Sequence, residues 1–321
     1  MAAIPEQTLI NGYKIPCVGL GTWMSKPGQT SIGEAVKTAI KLGYRHFDCA
    51  LIYENEQEIG KAIKECIDNG VVKREDLFIT SKLWNTYHSK ARVPEGCKES
   101  LASLGMDYVD LYLIHWPFPM RENAGLLPVA PDGKADVIDI DYTETWTAMQ
   151  DLVDQGLCRS IGVSNFNSKQ IQKIMDLGLK YPITCNEIEI SPHNSNEKLL
   201  QFCKSKGIAV IAYSPLGSAE RPWAKPDDPV LLEEPDILKM AARYNKSAGQ
   251  VVLRWGIQRG YIVIPKSVSE SRQKQNIELF DFALDEDEMN AINRVNRNFR
   301  VCTWADFDAT HSPYYPFHEE F

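Results

Sequence analysis

No stretch of this chain approaches the ~18 consecutive apolar residues of a membrane-spanning helix. The opening residues, Met1 to Thr8, show no basic segment followed by an apolar one, so no secretory leader is expected. Cysteine is present but scattered. The eight, at 17, 49, 66, 97, 158, 185, 203 and 302, form no C-x-x-C pair and mostly lie inside apolar runs. That pattern predicts free buried thiols in a reducing cytoplasm. Neither His46 nor His115 has a third ligand at metal-site spacing, and H-E-x-x-H is absent, so no metal is expected. The lack of a G-x-S-x-G elbow weighs against a hydrolase. The turn Gly19-Leu20-Gly21-Thr22-Trp23-Met24 lacks the third glycine of a dinucleotide fingerprint, which weakens an open doubly wound sheet. A formal net charge of −8 argues against a nucleic-acid surface, while leaving room for a local basic pocket that holds a phosphate.

What is present is a regular alternation. Of 321 residues, 44% are apolar, enough for a packed core. The length suits an α/β barrel of about 250 residues with insertions. Short apolar runs at 18–20, 45–48, 78–82, 108–115, 159–163, 184–188, 208–213 and 261–265 read as strands. Amphipathic segments at 31–42, 54–69, 92–104, 142–154, 168–177, 197–205 and 247–258 read as helices, most with a glycine just past the end. Eight strands in strict alternation with helices predict a parallel sheet closed into a (β/α)8 barrel. Three stretches break the repeat: 117–141, 217–235 and 300–321. Long connections of this kind are usually lids or binding loops.

Polar residues end three of the apolar runs. They are Asp48 with Tyr53, Lys82, and His115, and barrel strands deliver their C-terminal ends to one face. A phenol holds its proton with a pKa of about 10. An ammonium beside it favours the phenolate, and a carboxylate keeps the ammonium charged and fixed. Tyr53, Lys82 and Asp48 therefore read as a tuned proton donor, with His115 as a neutral hydrogen-bond donor that orients a carbonyl. The bland alternative is a buried ion pair with a packed tyrosine and a core histidine. His115 is also an alternative acid; Tyr53 is preferred because the charges gather around it. A carbonyl reduction needs an external reductant and hence a cofactor.

This set, at these strand ends, resembles the Asp-Tyr-Lys-His tetrad of the aldo-keto reductases, close to the aldose and aldehyde reductase subgroup, along the whole chain as one domain. The resemblance implies NADPH as cofactor. It implies that Ser164 and Asn165, in Gly162-Val163-Ser164-Asn165-Phe166-Asn167, bond the nicotinamide carboxamide with residue 187. Tyr213 would stack on the nicotinamide, and Ser214, Leu216 and Ser218 would meet the pyrophosphate beneath a closing loop, with Thr22 and Trp23 also against the cofactor. In Ile264-Pro265-Lys266-Ser267-Val268-Ser269-Glu270-Ser271-Arg272, two cations bracket a helix start, which is an anion site. By the resemblance, Lys266, Ser267, Val268 and Arg272 read the 2′-phosphate, and Gln275 and Asn276 lie near the adenine. The substrate walls would be Trp23, Ile52, Trp84, His115, Trp116, Leu127, Trp223, Cys302 and Trp304, a pocket for apolar or aromatic aldehydes.

One residue departs from the pattern. Relatives usually carry glutamine where this chain has Glu187. A carboxylate accepts from the carboxamide NH₂ but cannot donate to its oxygen, and its charge would favour the oxidised, cationic nicotinamide. The leading reading is an NADPH-dependent aldehyde reductase acting as a cytoplasmic monomer on small carbonyl substrates, with neither nucleic acid nor membrane as partner. The alternatives are a steroid or ecdysteroid ketone reductase, and a non-catalytic crystallin-like or channel-subunit-like member of the family.

Overall fold

Helix formation here is set locally. Ser31 accepts the backbone N–H of Glu34 and starts α1 (Ile32–Leu42). Ile32, Ala35, Val36, Ala39 and Ile40 recur at helical spacing and are buried together. Gly43 ends the helix with φ 104°, a left-handed conformation that costs a residue without a Cβ little. The computed structural model describes residues 4–23, 30–304 and 307–321. Met24, where the third fingerprint glycine is missing, and Ala305 and Asp306 of the tail lie outside them.

A short antiparallel hairpin comes first, β1 (Glu6–Thr8) and β2 (Lys14–Pro16). The barrel strands follow: β3 (Leu20–Gly21), β4 (His46–Asp48), β5 (Phe78–Leu83), β6 (Val109–Ile114), β7 (Cys158–Ser164), β8 (Cys185–Glu189), β9 (Ala209–Tyr213) and β10 (Ile262–Val263). They pair in parallel in sequence order. Parallel bridges Val18–Val263 and Gly21–Lys266 join the first strand region to the last, so the sheet closes into a (β/α)8 barrel. β5 and β6 are buried at every position, as strands covered on both faces must be. Inside, Phe78, Leu111, Leu113, Cys185, Ile211 and Ile262 pack with Leu9 and Ile15 of the hairpin, which plugs the N-terminal end.

The remaining helices are α2 (Glu56–Asp68), α3 (Val93–Leu104), α4 (Tyr142–Asp154), α5 (Ser168–Met175), α6 (Glu197–Ser205), α7 (Pro235–Tyr244), α8 (Ala248–Gln258), α9 (Glu270–Ile277) and α10 (Glu286–Asn293). Gln273 of α9 donates to the Ala35 carbonyl of α1 and accepts Tyr44 Oη at its own carbonyl, which closes the outer layer. The strand expected at 45–48 appears as β4, ending at Asp48, and Leu51–Tyr53 beyond it is a tight helical turn. The hairpin, α7 and α10 are additions to the predicted alternation.

Candidate active site

All the strand-end residues meet on one rim. Lys82, fully buried on β5, donates to Asp48 Oδ1 at 2.6 Å and to the Cys49 carbonyl at 3.0 Å. Tyr53 Oη lies 3.5 Å from Lys82 Nζ, brought there by the turn after β4. Asp48 is fixed from behind, since Thr22 Oγ1 donates to its carbonyl at 2.7 Å. Thr22, fully buried, thus acts here as a brace for the Asp48 backbone. The His115 ring stands edge-on to Tyr53 at 5.8 Å and to Trp84 at 5.2 Å, and its Nδ1 is buried without a hydrogen-bond partner.

The electrostatics follow from burial. Burial works against the Lys82 ammonium, but Asp48 and then Glu187 outweigh it and hold its pKa well above the usual lysine value. Burial, then Lys82, pushes His115 well below its ordinary value, so the imidazole is neutral. Tyr53 differs from the sequence expectation. Burial raises its pKa above that of a free phenol, and Lys82 recovers only part of the change. The phenol is therefore protonated in the resting site.

Glu187 turns its carboxyl toward the same cluster. Its Oε1 lies 3.3 Å from Lys82 Nζ, across the barrel from β8, and Oε2 is buried without a partner. Burial, then the Asp48 carboxylate, raises its pKa well above that of an ordinary glutamate, with Lys82 as a partial offset. Its surroundings therefore favour the neutral, protonated carboxyl.

Next to this cluster, four strand ends are tied together. Ser164 Oγ donates to the Glu187 carbonyl at 2.9 Å, Asn165 Nδ2 to the His115 carbonyl at 3.0 Å, and Tyr213 Oη to Asn165 Oδ1 at 2.7 Å. Asn165, Ser214 and Ser218 all adopt positive φ, the kind of local strain that concentrates at functional loops. Ser218 Oγ donates to Ser214 Oγ at 2.8 Å, in a turn that includes the half-buried Leu216. Farther round the rim, the half-buried Lys266 and Val268 and the buried Ser267 lead into α9. There Arg272, Gln275 and Asn276 share a face by their three- and four-residue spacing. Arg272 and Gln275 are exposed and Asn276 is buried.

The aromatic walls form two groups. Trp304, with φ 59°, stands within 6 Å, centroid to centroid, of Trp84, Trp116, Phe118 and Phe307. Trp23 pairs with Trp223 at 5.5 Å, and Trp223 Nε1 donates to the Val301 carbonyl at 2.6 Å, linking the 217–235 loop to the tail. Ile52 is half-buried beside Tyr53, and Cys302 follows the Val301 anchor. Leu127 is brought to neither group: it is 51% exposed, whereas its neighbour Leu126 packs inward. Phe118 and Glu189 were not anticipated. Phe118 follows His115-Trp116-Pro117, a run of ring residues that could have flagged it.

A parallel eight-stranded barrel with this rim defines the class, and comparison with known proteins gives the family. The aldo/keto reductase family model matches residues 17–297. Aldo-keto reductase family 1 member A1 of Gallus gallus is 47% identical, covering 98% of this chain and 97% of its own. The Homo sapiens protein of the same name is 44% identical, with 98% of both chains covered. The aldose reductase of Schistosoma japonicum superposes with a TM-score of 0.91 at 41% identity, covering 99% of this chain and all of that one. A Bombyx mori aldo-keto reductase solved in complex with NADP gives 0.88 at 42%, covering 98% of this chain and all of that one. The chain belongs to the aldo/keto reductase family and is an oxidoreductase.

Proposed function

We propose that this protein reduces aldehydes, and some ketones, to alcohols with NADPH, and that Tyr53 is the proton donor. The observation that carries the reading is the Lys82 ammonium, held 2.6 Å from Asp48 with Tyr53 Oη 3.5 Å away, inside a rim of rings. When bound, NADPH supplies the hydride. Asp48 holds Lys82 charged and in place. Lys82 stabilises the phenolate as Tyr53 gives its proton to the carbonyl oxygen, and neutral His115 donates a hydrogen bond that orients that oxygen.

The residues present fit such a cofactor. Ser164, Asn165 and the orphaned Glu187 Oε2 offer polar atoms for a carboxamide, and Tyr213 offers a half-buried ring. Ser214, Leu216 and Ser218 suit the pyrophosphate, with Thr22 and Trp23 two strands round the rim, past β10. Lys266, Ser267, Val268 and Arg272 at the start of α9 suit a 2′-phosphate, with Gln275 and Asn276 for the adenine. The walls, Trp23, Ile52, Trp84, Trp116, Trp223, Cys302 and Trp304, favour an apolar or aromatic aldehyde. Trp304 packs against both Trp116 and Phe118, which also touch each other, so the tail closes this side of the wall with a compact aromatic cluster. The protein would act as a cytoplasmic monomer on small carbonyls; its eight free thiols suit a reducing compartment. The test is a panel of aromatic, lipid and sugar aldehydes and a steroid ketone, scored by loss of NADPH absorbance. Turnover with aldehydes is expected, and no turnover with any member would overturn the reading.

A further inference from the structure

Glu187 is 2% exposed, and its carboxyl crosses the barrel from β8 to the Lys82 ammonium on β5. That ammonium has three N–H bonds. Asp48 Oδ1 takes one and the Cys49 carbonyl another. The third has two claimants, Tyr53 Oη at 3.5 Å and Glu187 Oε1 at 3.3 Å. Resting on the reading of Tyr53 as proton donor, we propose that Glu187 is a positioning residue that sets the acidity of Tyr53 through Lys82. As a neutral acid it leaves the third N–H to the phenol; as a carboxylate it draws that N–H away.

The change is an acid–base equilibrium: the Glu187 O–H bond breaks, the proton leaves to solvent, and a carboxylate remains. That carboxylate opposes charge on the phenol oxygen, so Tyr53 becomes the weaker acid. Burial and the adjoining Asp48 place the ionisation well above the ordinary glutamate range, where it bears on turnover. The groups facing Glu187 are Asp48 from β4, Tyr53 from the turn after it, Lys82 from β5 and Cys185 on β8 itself. His115, beyond β6, is neutral. The flanking strands β7 and β9 bring Ser164 and Ile211 level with it. Tyr213 at the end of β9 faces Glu189 and Cys302 instead.

The test is single-turnover reduction of an aromatic aldehyde by the NADPH complex from about pH 5 to about pH 9, each profile scaled to its own acid plateau. The wild-type rate should step down about 3- to 10-fold with rising pH, the response of proton transfer to a weaker acid. Glu187→Gln should show no step in that interval. Glu56→Gln, which removes the other buried glutamate near Lys82, should retain it. Superimposed wild-type and Glu187→Gln profiles overturn the proposal. If Glu187→Gln does not fold, Glu187→Met replaces it. If neither folds, isotope-labelled glutamate in the Glu56→Gln protein decides by infrared titration. A protonated-acid band lost at the midpoint of the rate step supports the proposal; its absence, or another midpoint, overturns it. No carbonyl reduction by the wild type at any pH would instead overturn the functional reading on which this inference rests.

Discussion

The carboxylate of Glu189, the last residue of β8, accepts the backbone N–H of Cys302 at 2.9 Å, and its other oxygen accepts that of Val301 at 2.8 Å. One buried side chain thus ties the tail to the barrel rim beside the aromatic cluster around Trp304. Glu189→Gln keeps one acceptor and turns an NH₂ group toward the second N–H. Leaving that donor unsatisfied should cost about 1–3 kcal/mol. The expected result is a lower melting temperature, faster proteolysis of the tail, and a several-fold rise in KM for aldehydes. An unchanged KM would show that the tail holds its place without this anchor.

Tyr53→Phe removes one oxygen from the turn after β4 and leaves the Asp48–Lys82 pair untouched. Turnover should fall by about 10²- to 10⁴-fold, the usual contribution of a positioned acid. NADPH affinity should stay near wild type, because the phenol acts only on the bound carbonyl. Steady-state kinetics paired with fluorescence titration of NADPH separates the two effects. Turnover close to wild type would move the acid elsewhere, His115 being the next candidate.

Much of this architecture was legible in the sequence because each element carries its own signal. Apolar runs such as Leu111 to Ile114 ended at a polar residue, and glycines such as Gly43 and Gly105 stopped the helices at positive φ. The N-terminal hairpin carried no such signal: its strands are three residues each, and Ile15 is the side chain they bury most deeply. Helix α10 did carry one, the reciprocal cap between Asp285 and Glu288, in a stretch otherwise too acidic to read as amphipathic. The contact between Lys82 and Glu187 had no local signature. β5 and β8 are separated by two strands in the sheet, and only closure of the barrel brings their inward side chains together. The raised pKa of Tyr53 was hidden for a related reason: its main cause is burial, which depends on the whole rim.

Cofactor choice can be tested at the other end of the site. Lys266→Met or Arg272→Met should weaken NADPH by about 1–3 kcal/mol, the range for a lost charge-assisted hydrogen bond. NADH, with no 2′-phosphate, should be nearly unaffected, so the ratio of the two dissociation constants is the readout. Raising the salt concentration should narrow the wild-type preference, most of all through the exposed Arg272. Equal losses for both cofactors would place the phosphate site away from the start of α9.

Glu56 gives a prediction about stability. It lies at the start of α2, 3% exposed, where Ser81 Oγ donates to its Oε1 at 2.6 Å and Oε2 has no partner. Burial pushes its pKa up to about 7, against an ordinary value of 4.5, with the Ser81 and Ser100 hydroxyls as partial offsets. The folded protein therefore keeps this proton over a range in which the unfolded chain has lost it. Where the folded state binds more protons, stability falls as pH rises. The contribution of Glu56 is fully present below about pH 4.5 and is lost progressively up to about pH 7, a total on the order of 3 kcal/mol. Glu56→Gln keeps an oxygen acceptor for Ser81 and cannot ionise. Urea unfolding of both proteins across that interval should show the variant gaining relative to wild type as pH rises, with the difference levelling off above about pH 7. A difference that does not change with pH would mean that Glu56 is ionised in the fold throughout.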